Sequence, residues 1–326
     1  MSFLAIQNRS GKFTATVSVL SCFSFALLSQ ITYGSDSLQD PSTGSPVQEP
    51  KTPETLLLWP DGAPGAKGDS PNDKPTLILY PAKENPSGTA VVVCPGGGYG
   101  GLAMGHEGHE IADWLNKNGI SAFICDYRHR GKGYGHPYPM MDAQRAIRTV
   151  RTNAKKWKVD PEKIGIIGFS AGGHLASSCA THKSIGELDD SDSVNKSSCN
   201  PNFAILCYAV IGFDKLYTHR GSQRNLIGKD AEKELVAFYS NEDQVTKETP
   251  PCFLWHTTAD KGVPVENSIQ FYLACKNKGV SAALHVFDKG RHGIGLAKGM
   301  KGAEAWPKLC IDWIAEEGFT GRALAK

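Results

Sequence analysis

Residues 164–177, Ile-Gly-Ile-Ile-Gly-Phe-Ser-Ala-Gly-Gly-His-Leu-Ala-Ser, carry the strongest information about the architecture. They begin as a continuous apolar run, which is typical of a strand buried on both faces. They then pass through G-x-S-x-G, from Gly168 to Gly172, into a segment that can start a helix. A nucleophile elbow requires this context, because a sharp turn lifts one serine to the top of the sheet and only small residues fit beside it. The sequence therefore predicts Ser170 as a nucleophile.

The rest of the chain alternates short apolar runs with amphipathic segments, which predicts a doubly wound, mostly parallel sheet with helices on both faces. Apolar residues recur with spacings of three and four at about 140–157 and 306–314, and each stretch predicts one helix. Two polar stretches, at about 183–200 and 213–250, are interpreted as insertions, the second with apolar residues for one short helix only. The predicted strands are Thr76–Tyr80, Ala90–Cys94, Ser121–Asp126, Lys163–Phe169, Phe203–Ala209, Cys252–His256 and Ala282–Phe287.

The N-terminal residues differ in composition from the rest. Residues 1–34 combine two basic residues with an apolar run and a small-residue end, which predicts a cleaved signal peptide and a secreted or periplasmic protein. An uncleaved anchor and lipid modification at Cys22 are the alternatives. Residues 35–54 are rich in Ser, Pro, Asp and Glu and are predicted to be a flexible linker. The catalytic domain is then expected at residues 55–320.

The composition narrows the choice of partners. The chain has 35 basic and 33 acidic residues, and losing the two basic residues of the leader would leave 33 of each. Without a long basic run, nucleic acid is not an expected partner. No CxxC spacing or histidine cluster indicates a metal site, and no cofactor is expected.

Cys179 and Cys199 flank a polar loop where a disulfide is possible. The cysteines expected to be buried free thiols are Cys94, Cys125, Cys207 and Cys252.

A second glycine-rich motif, Cys94-Pro-Gly-Gly-Gly-Tyr99, follows an earlier predicted strand. The oxyanion of a tetrahedral intermediate needs backbone N–H donors aimed at it, and glycines let the backbone approach closely. This loop and the N–H of Ala171 would together form the oxyanion hole. The same glycines also fit the dinucleotide pattern G-x-G-x-x-G, with Asp126 about 30 residues later. That alternative leaves the serine elbow unexplained.

Asp260 and His292 complete a triad with Ser170. Each follows a predicted strand, so both are expected in loops at the carboxyl ends of the strands, where such sheets place their sites. The order Ser, Asp, His along the chain is that of α/β hydrolases. His292 would take the proton of Ser170, and Asp260 would orient His292. The fallback acids are Glu266 and Asp288, and the histidines expected to have supporting roles are His174, His256 and His285.

With these motifs, the chain resembles secreted carbohydrate esterases of the acetylxylan esterase type within the α/β-hydrolase superfamily. The resemblance rests on the two glycine-rich motifs and on three further stretches, and it covers about residues 55–318. It implies deacetylation of plant polysaccharide or its oligosaccharides. It also implies the triad above, and Gly97, Gly98 and Ala171 as oxyanion donors. The three further stretches are His106-Glu107-Gly108, Thr258-Ala-Asp260 and Arg291-His292-Gly293.

The leading hypothesis is thus a serine esterase that removes acetyl groups from carbohydrate through an acyl-enzyme. Proteins of this type are sometimes labelled xylanases, but glycosidases use two carboxylates rather than a serine triad. A generic short-chain esterase and a peptidase of the prolyl-oligopeptidase kind remain alternatives, although no propeller repeats precede residue 76. The polar stretch at 213–250 favours short acyl groups, because an added CH₂ gains about 0.8 kcal/mol only against an apolar wall. The sequence does not indicate an oligomeric state.

Overall fold

The structure, a computed structural model, describes residues 52–84 and 86–321. Eight strands form one sheet in the order β1-β2-β4-β3-β5-β6-β7-β8. The strands are β1 (Thr55–Leu57), β2 (Thr76–Tyr80), β3 (Ala90–Cys94), β4 (Ser121–Asp126), β5 (Ile164–Phe169), β6 (Phe203–Cys207), β7 (Cys252–Thr257) and β8 (Ala282–Phe287). The predicted signal peptide at 1–34, and the predicted linker up to residue 51, lie outside the described residues.

The pairing of the strands confirms the predicted fold class. From β4 through β3, β5, β6 and β7 to β8, every neighbouring pair is parallel. Only β1 and β2, at one edge, run antiparallel to their neighbours. Parallel neighbours bring the carboxyl ends of β5, β7 and β8 to the same edge of the sheet, and the loops after these strands carry Ser170, Asp260 and His292.

Helices cover both faces of the sheet, and each face has its own apolar layer. Ile147 and Leu175 lie in one layer, whereas Leu115 and Ile314 lie in the other. The helices are α1 (Glu110–Lys117), α2 (Tyr138–Thr152), α3 (Ala154–Trp157), α4 (Ala171–Thr181), α5 (Arg220–Ile227), α6 (Lys233–Phe238), α7 (Glu266–Asn277) and α8 (Trp306–Glu316). This arrangement on both faces explains why the inner strands are apolar throughout.

Two helix predictions were wrong. The single helix expected at about 140–157 is divided into α2 and α3 at Asn153, whose side-chain Nδ2 donates to the carbonyl of Thr149 at 2.9 Å. The stretch 213–250 holds two α-helices, α5 and α6, where one was expected. Only two side chains of α5, Ser222 and Leu226, are buried, so its apolar pattern is too weak to indicate a helix.

The eight cysteines of the described part of the chain are all buried free thiols. Cys179 and Cys199 therefore do not form the disulfide considered from the sequence. Across residues 52–84 and 86–321, no helix is long and apolar enough to cross a membrane. In the same ranges, no group of three His, Cys, Asp or Glu side chains is placed to hold a metal ion.

Candidate active site

Ser170 is the single residue between the end of β5 and the start of α4, and its backbone conformation is strained. Its φ is 53° and its ψ is −119°, a left-handed backbone that residues with a Cβ rarely adopt. The flanking glycines permit the tight turn: a Cβ on Gly168 would stand 2.0 Å from the carbonyl oxygen of Gly172. A Cβ on Gly172 would stand 2.1 Å from the carbonyl oxygen of Cys94. Close backbone packing therefore explains the glycines of the G-x-S-x-G motif.

The structure brings Ser170, His292 and Asp260 together in one chain of hydrogen bonds. His292 Nδ1 is 2.6 Å from Asp260 Oδ2, and His292 Nε2 is 2.8 Å from Ser170 Oγ. A carboxylate can only accept, so the imidazole proton is on Nδ1 and Nε2 is left to accept from the serine hydroxyl. This is the arrangement in which a histidine can remove the proton of a serine.

Asp260 is fixed as an ionised carboxylate. Its Oδ1 accepts from the amides of Gly262 at 2.7 Å and Val263 at 3.0 Å. Buried His256 lies on its other side, with Nε2 3.4 Å from Oδ2. Burial alone would raise the pKa of Asp260, but hydrogen bonds from the two histidines and the Val263 amide outweigh it and hold the pKa well below its ordinary value.

His256 has the supporting role that its place in a strand predicts. Its Nδ1 accepts from the Ser268 hydroxyl at 2.8 Å, and its Nε2 donates to the Val263 carbonyl at 3.0 Å. His174 is also fully buried, between the Tyr99 hydroxyl and the Tyr239 carbonyl. The fallback acids Glu266 and Asp288 are both exposed at the surface.

The loop after β3 offers free backbone donors beside Ser170. The amide of Gly96 donates to Glu107 Oε2 at 2.8 Å, and the amides of Gly100 and Gly101 donate to the Gly97 carbonyl. Among the described residues, the amides of Gly97, Gly98 and Ala171 have no acceptor. The loop lies close to the serine, since a Cβ on Gly96 would stand 3.0 Å from Ser170 Cβ. These three amides are the predicted oxyanion donors.

Glu107 is a buried carboxylate that connects the loops around the site, a role that no pattern in the sequence predicts. While its Oε2 accepts from Gly96, its Oε1 accepts from the Tyr208 hydroxyl at 2.7 Å. The oxygen of that hydroxyl accepts in turn from the amide of Gly295 at 2.9 Å, in the loop that carries His292. Glu107 is 2% exposed, and Tyr208 follows β6. One carboxylate thus links the oxyanion loop to the histidine loop.

The helix α5, in the polar insertion, also contacts the site. Asn225 Nδ2 donates to the carbonyl of Gly98 at 2.8 Å, which fixes the oxyanion loop from outside the sheet. The half-buried ring of His219, just before α5, lies beside the same loop. No motif in the sequence indicates either residue, because the oxyanion loop beside them is distant along the chain.

The fold and the site together define the class of protein: an α/β-hydrolase fold with serine, histidine and aspartate in triad geometry. The BD-FAE family profile matches residues 77–274, more than half of the chain. The chain therefore belongs to the BD-FAE family, among the α/β-hydrolase esterases.

Known relatives and a solved structure agree with this classification. The acetylxylan esterase of Xylanibacter ruminicola is 39% identical over 238 residues, which cover 71% of this chain and 46% of that protein. The endo-1,4-beta-xylanase B of Butyrivibrio fibrisolvens is 37% identical, over 68% of this chain and 35% of that protein. This chain thus spans half or less of the length of these two relatives. The crystal structure of an acetyl ester-xyloside bifunctional hydrolase from Caldicellulosiruptor lactoaceticus is 42% identical, with a TM-score of 0.77, and the match covers 82% of this chain and 97% of that chain.

Proposed function

We propose that this protein is a serine esterase that removes acetyl groups from carbohydrate, such as acetylated xylan or its oligosaccharides. The observation that carries the proposal is the hydrogen-bond chain from Asp260 through His292 to Ser170, at 2.6 and 2.8 Å. It ends beside the free amides of the glycine loop. A hydroxyl, a base and oxyanion donors in this arrangement suit acyl transfer.

In the first half of the reaction, Ser170 Oγ attacks the acetyl carbonyl carbon while His292 Nε2 takes the hydroxyl proton. The carbonyl oxygen becomes an oxyanion, which the amides of Gly97, Gly98 and Ala171 are placed to receive. The C–O bond to the sugar then breaks, and His292 gives its proton to the departing sugar oxygen. The products are a free sugar hydroxyl and an acetyl group esterified to Ser170.

In the second half, His292 Nε2 removes a proton from water as the water oxygen attacks the acetyl-enzyme. The tetrahedral intermediate collapses to acetate, and the proton returns to Ser170 Oγ. Asp260, held ionised by its four hydrogen-bonding neighbours, stabilises the imidazolium that forms in each half. The rigid carboxylate therefore acts in both halves without changing its own protonation.

Two observations support a carbohydrate ester as the substrate. The name of one relative refers to acetylxylan, and that of the solved structure refers to both acetyl esters and xylosides. The insertion beside the oxyanion loop is polar, and both Asn225 in α5 and His219 just before this helix lie beside the loop. A polar wall suits a hydroxyl-rich alcohol and gives an alkyl tail no apolar surface to bury.

The names of the Butyrivibrio relative and of the solved bifunctional hydrolase also suggest hydrolysis of glycosidic bonds. That activity has less support in this chain. It requires two carboxylates on either side of the bond, one as an acid and one as a base or nucleophile. Near Ser170, the buried carboxylates are Glu107 and Asp260, and protein donors engage both oxygens of each. We propose a secreted or periplasmic location on the evidence of the N-terminal composition alone.

Product analysis tests the proposed function. The purified protein should release acetate from acetylated xylan and produce no reducing ends from deacetylated xylan. The matched control is Ser170→Ala, which should release no acetate while keeping the melting temperature of the parent protein. Reducing ends from the deacetylated polymer would show that the enzyme is a glycosidase, and the esterase proposal would then be wrong.

A further inference from the structure

The two ring nitrogens of His219 have different surroundings. Nδ1 accepts from the backbone N–H of Ser222 at 3.2 Å and lies 2.8 Å from the Ser222 hydroxyl. Because a backbone N–H can only donate, Nδ1 of the neutral ring has no proton, and the proton is on Nε2. Burial holds the pKa of His219 below its ordinary value, and interaction with His292 acts in the same direction. The ring is therefore a neutral imidazole with an N–H at Nε2.

That N–H belongs to a ring that lies beside the oxyanion loop. The Cε1 atom, which is bonded to both nitrogens, is 3.9 Å from the position that a Cβ on Gly98 would take. From the same helix, Asn225 Nδ2 holds the carbonyl of Gly98 at 2.8 Å. Among the described residues, Nε2 of His219 has no hydrogen-bond acceptor. A donor without a protein partner is thus held at the rim of the oxyanion loop.

Capping of α5 does not by itself explain a histidine here. The side chain of His219 caps the helix by accepting from Ser222, a role in which Ser, Thr, Asn and Asp are the favoured residues. Each of these would satisfy the N–H of Ser222 with a shorter side chain. A histidine caps the helix with one nitrogen and presents a second, oppositely placed nitrogen as a donor.

We propose that His219 is a substrate-positioning residue whose Nε2–H donates a hydrogen bond to an oxygen of the sugar portion of the ester. The acetyl ester group offers only two oxygens. In the proposed reaction the carbonyl oxygen faces the amide donors, and the oxygen that links it to the sugar faces His292. The remaining acceptors of an acetylated sugar are its hydroxyl and ring oxygens. The insertion that carries α5 is then one wall of the sugar site. This inference rests on the proposed function, since it presupposes a sugar ester.

His219→Asn separates the two roles of the side chain, because asparagine is a favoured cap that can accept from Ser222 but does not extend as far as Nε2. His219→Ala removes both the cap and the donor. Arg220→Ala is the neighbouring control, since Arg220 is exposed and pairs with Asp214. The measured quantity is kcat/KM for an acetylated xylo-oligosaccharide divided by kcat/KM for p-nitrophenyl acetate, which has no sugar oxygens.

We expect this ratio to fall about three- to tenfold in His219→Asn, chiefly through a higher KM for the sugar ester, and to stay at the parent value in Arg220→Ala. His219→Asn should melt at a higher temperature than His219→Ala without recovering the ratio. An unchanged ratio in His219→Asn would overturn the inference, as would equal losses on both substrates, which would indicate a role in the chemistry or in folding. Failure of the proposed function has a different signature, because the parent protein would then release no acetate from the oligosaccharide.

Discussion

Replacing Glu107 with glutamine tests whether one buried carboxylate holds the loops of the site together. Its two oxygens accept from the amide of Gly96 at 2.8 Å and from the hydroxyl of Tyr208 at 2.7 Å. Glutamine has a similar shape but only one acceptor oxygen. Its NH₂ group must therefore face one of the two protein donors, and that donor loses its partner in a buried site.

The size of the effect follows from the bonds that are lost. A hydrogen bond to a charged group contributes about 1.5–3 kcal/mol, and a buried donor without a partner costs a similar amount. If about 1.4–3 kcal/mol of this lost interaction free energy is added to the activation free energy, kcat falls roughly ten- to hundredfold. Tyr208→Phe removes the hydroxyl that donates to Glu107 and accepts from Gly295, but it leaves the charged carboxylate and its bond to Gly96. We therefore expect a smaller loss than in Glu107→Gln.

The assay is saturation kinetics on p-nitrophenyl acetate, together with thermal unfolding to show that the variants are folded. Glu110→Gln is the matched control, because Glu110 is exposed, lies three residues further along and pairs with Lys298 on the surface. It should keep the parent kcat, since exposed ion pairs contribute little. A folded Glu107→Gln protein with kcat within twofold of the parent would refute the argument that this carboxylate positions the site.

Three further predictions concern the triad, the acyl group and the dependence of stability on pH. Asp260→Asn and His292→Ala should each lower kcat on the order of 10³-fold or more. The double variant should be no less active than the less active of the two single variants, and additive losses would mean that the two residues act independently. In a series of p-nitrophenyl esters, kcat/KM should be far higher for acetyl and propionyl than for octanoyl, and a steady rise with chain length would favour a lipase-like enzyme. Burial lowers the pKa of His174 to about 4, so the folded protein keeps it neutral while the unfolded chain binds a proton below about pH 6.5. Because only the unfolded chain binds this proton, the free energy of unfolding should fall by about 2 kcal/mol between pH 7 and pH 5 on account of His174. Urea unfolding measures this fall, and the fall should be absent in His174→Gln.

The parts of the fold that the sequence predicts are those with strong local patterns. The strands β2, β3 and β4 coincide with their predicted bounds, because continuous apolar runs ended by turn residues leave little ambiguity. The edge strand β1 was not predicted, since its three residues include only one half-buried side chain and two exposed ones. The division at Asn153 was also not predicted, because the apolar spacing continues across it.

The site likewise contains residues that the sequence predicts and residues that it does not. Ser170, Asp260 and His292 each follow a strand, so the topology alone brings them near one another. The helix α5 contacts the site through a bond that joins positions 127 residues apart, and Glu107 meets its tyrosine across 101 residues. A contact over such a distance depends on how layers pack, and no local pattern reports it. The sequence contained Glu107 within a family motif but gave no indication of its partners.

Mapping the site of covalent modification tests the identity of the nucleophile. A fluorophosphonate reacts with a serine only when a neighbouring base activates it, and the modified peptide can be identified by mass spectrometry. The structure predicts a single adduct on Ser170, formed at the rate at which esterase activity is lost, and none on the Ser170→Ala variant. An adduct on another residue that accompanies inactivation, or full esterase activity in Ser170→Ala, would contradict the proposed mechanism.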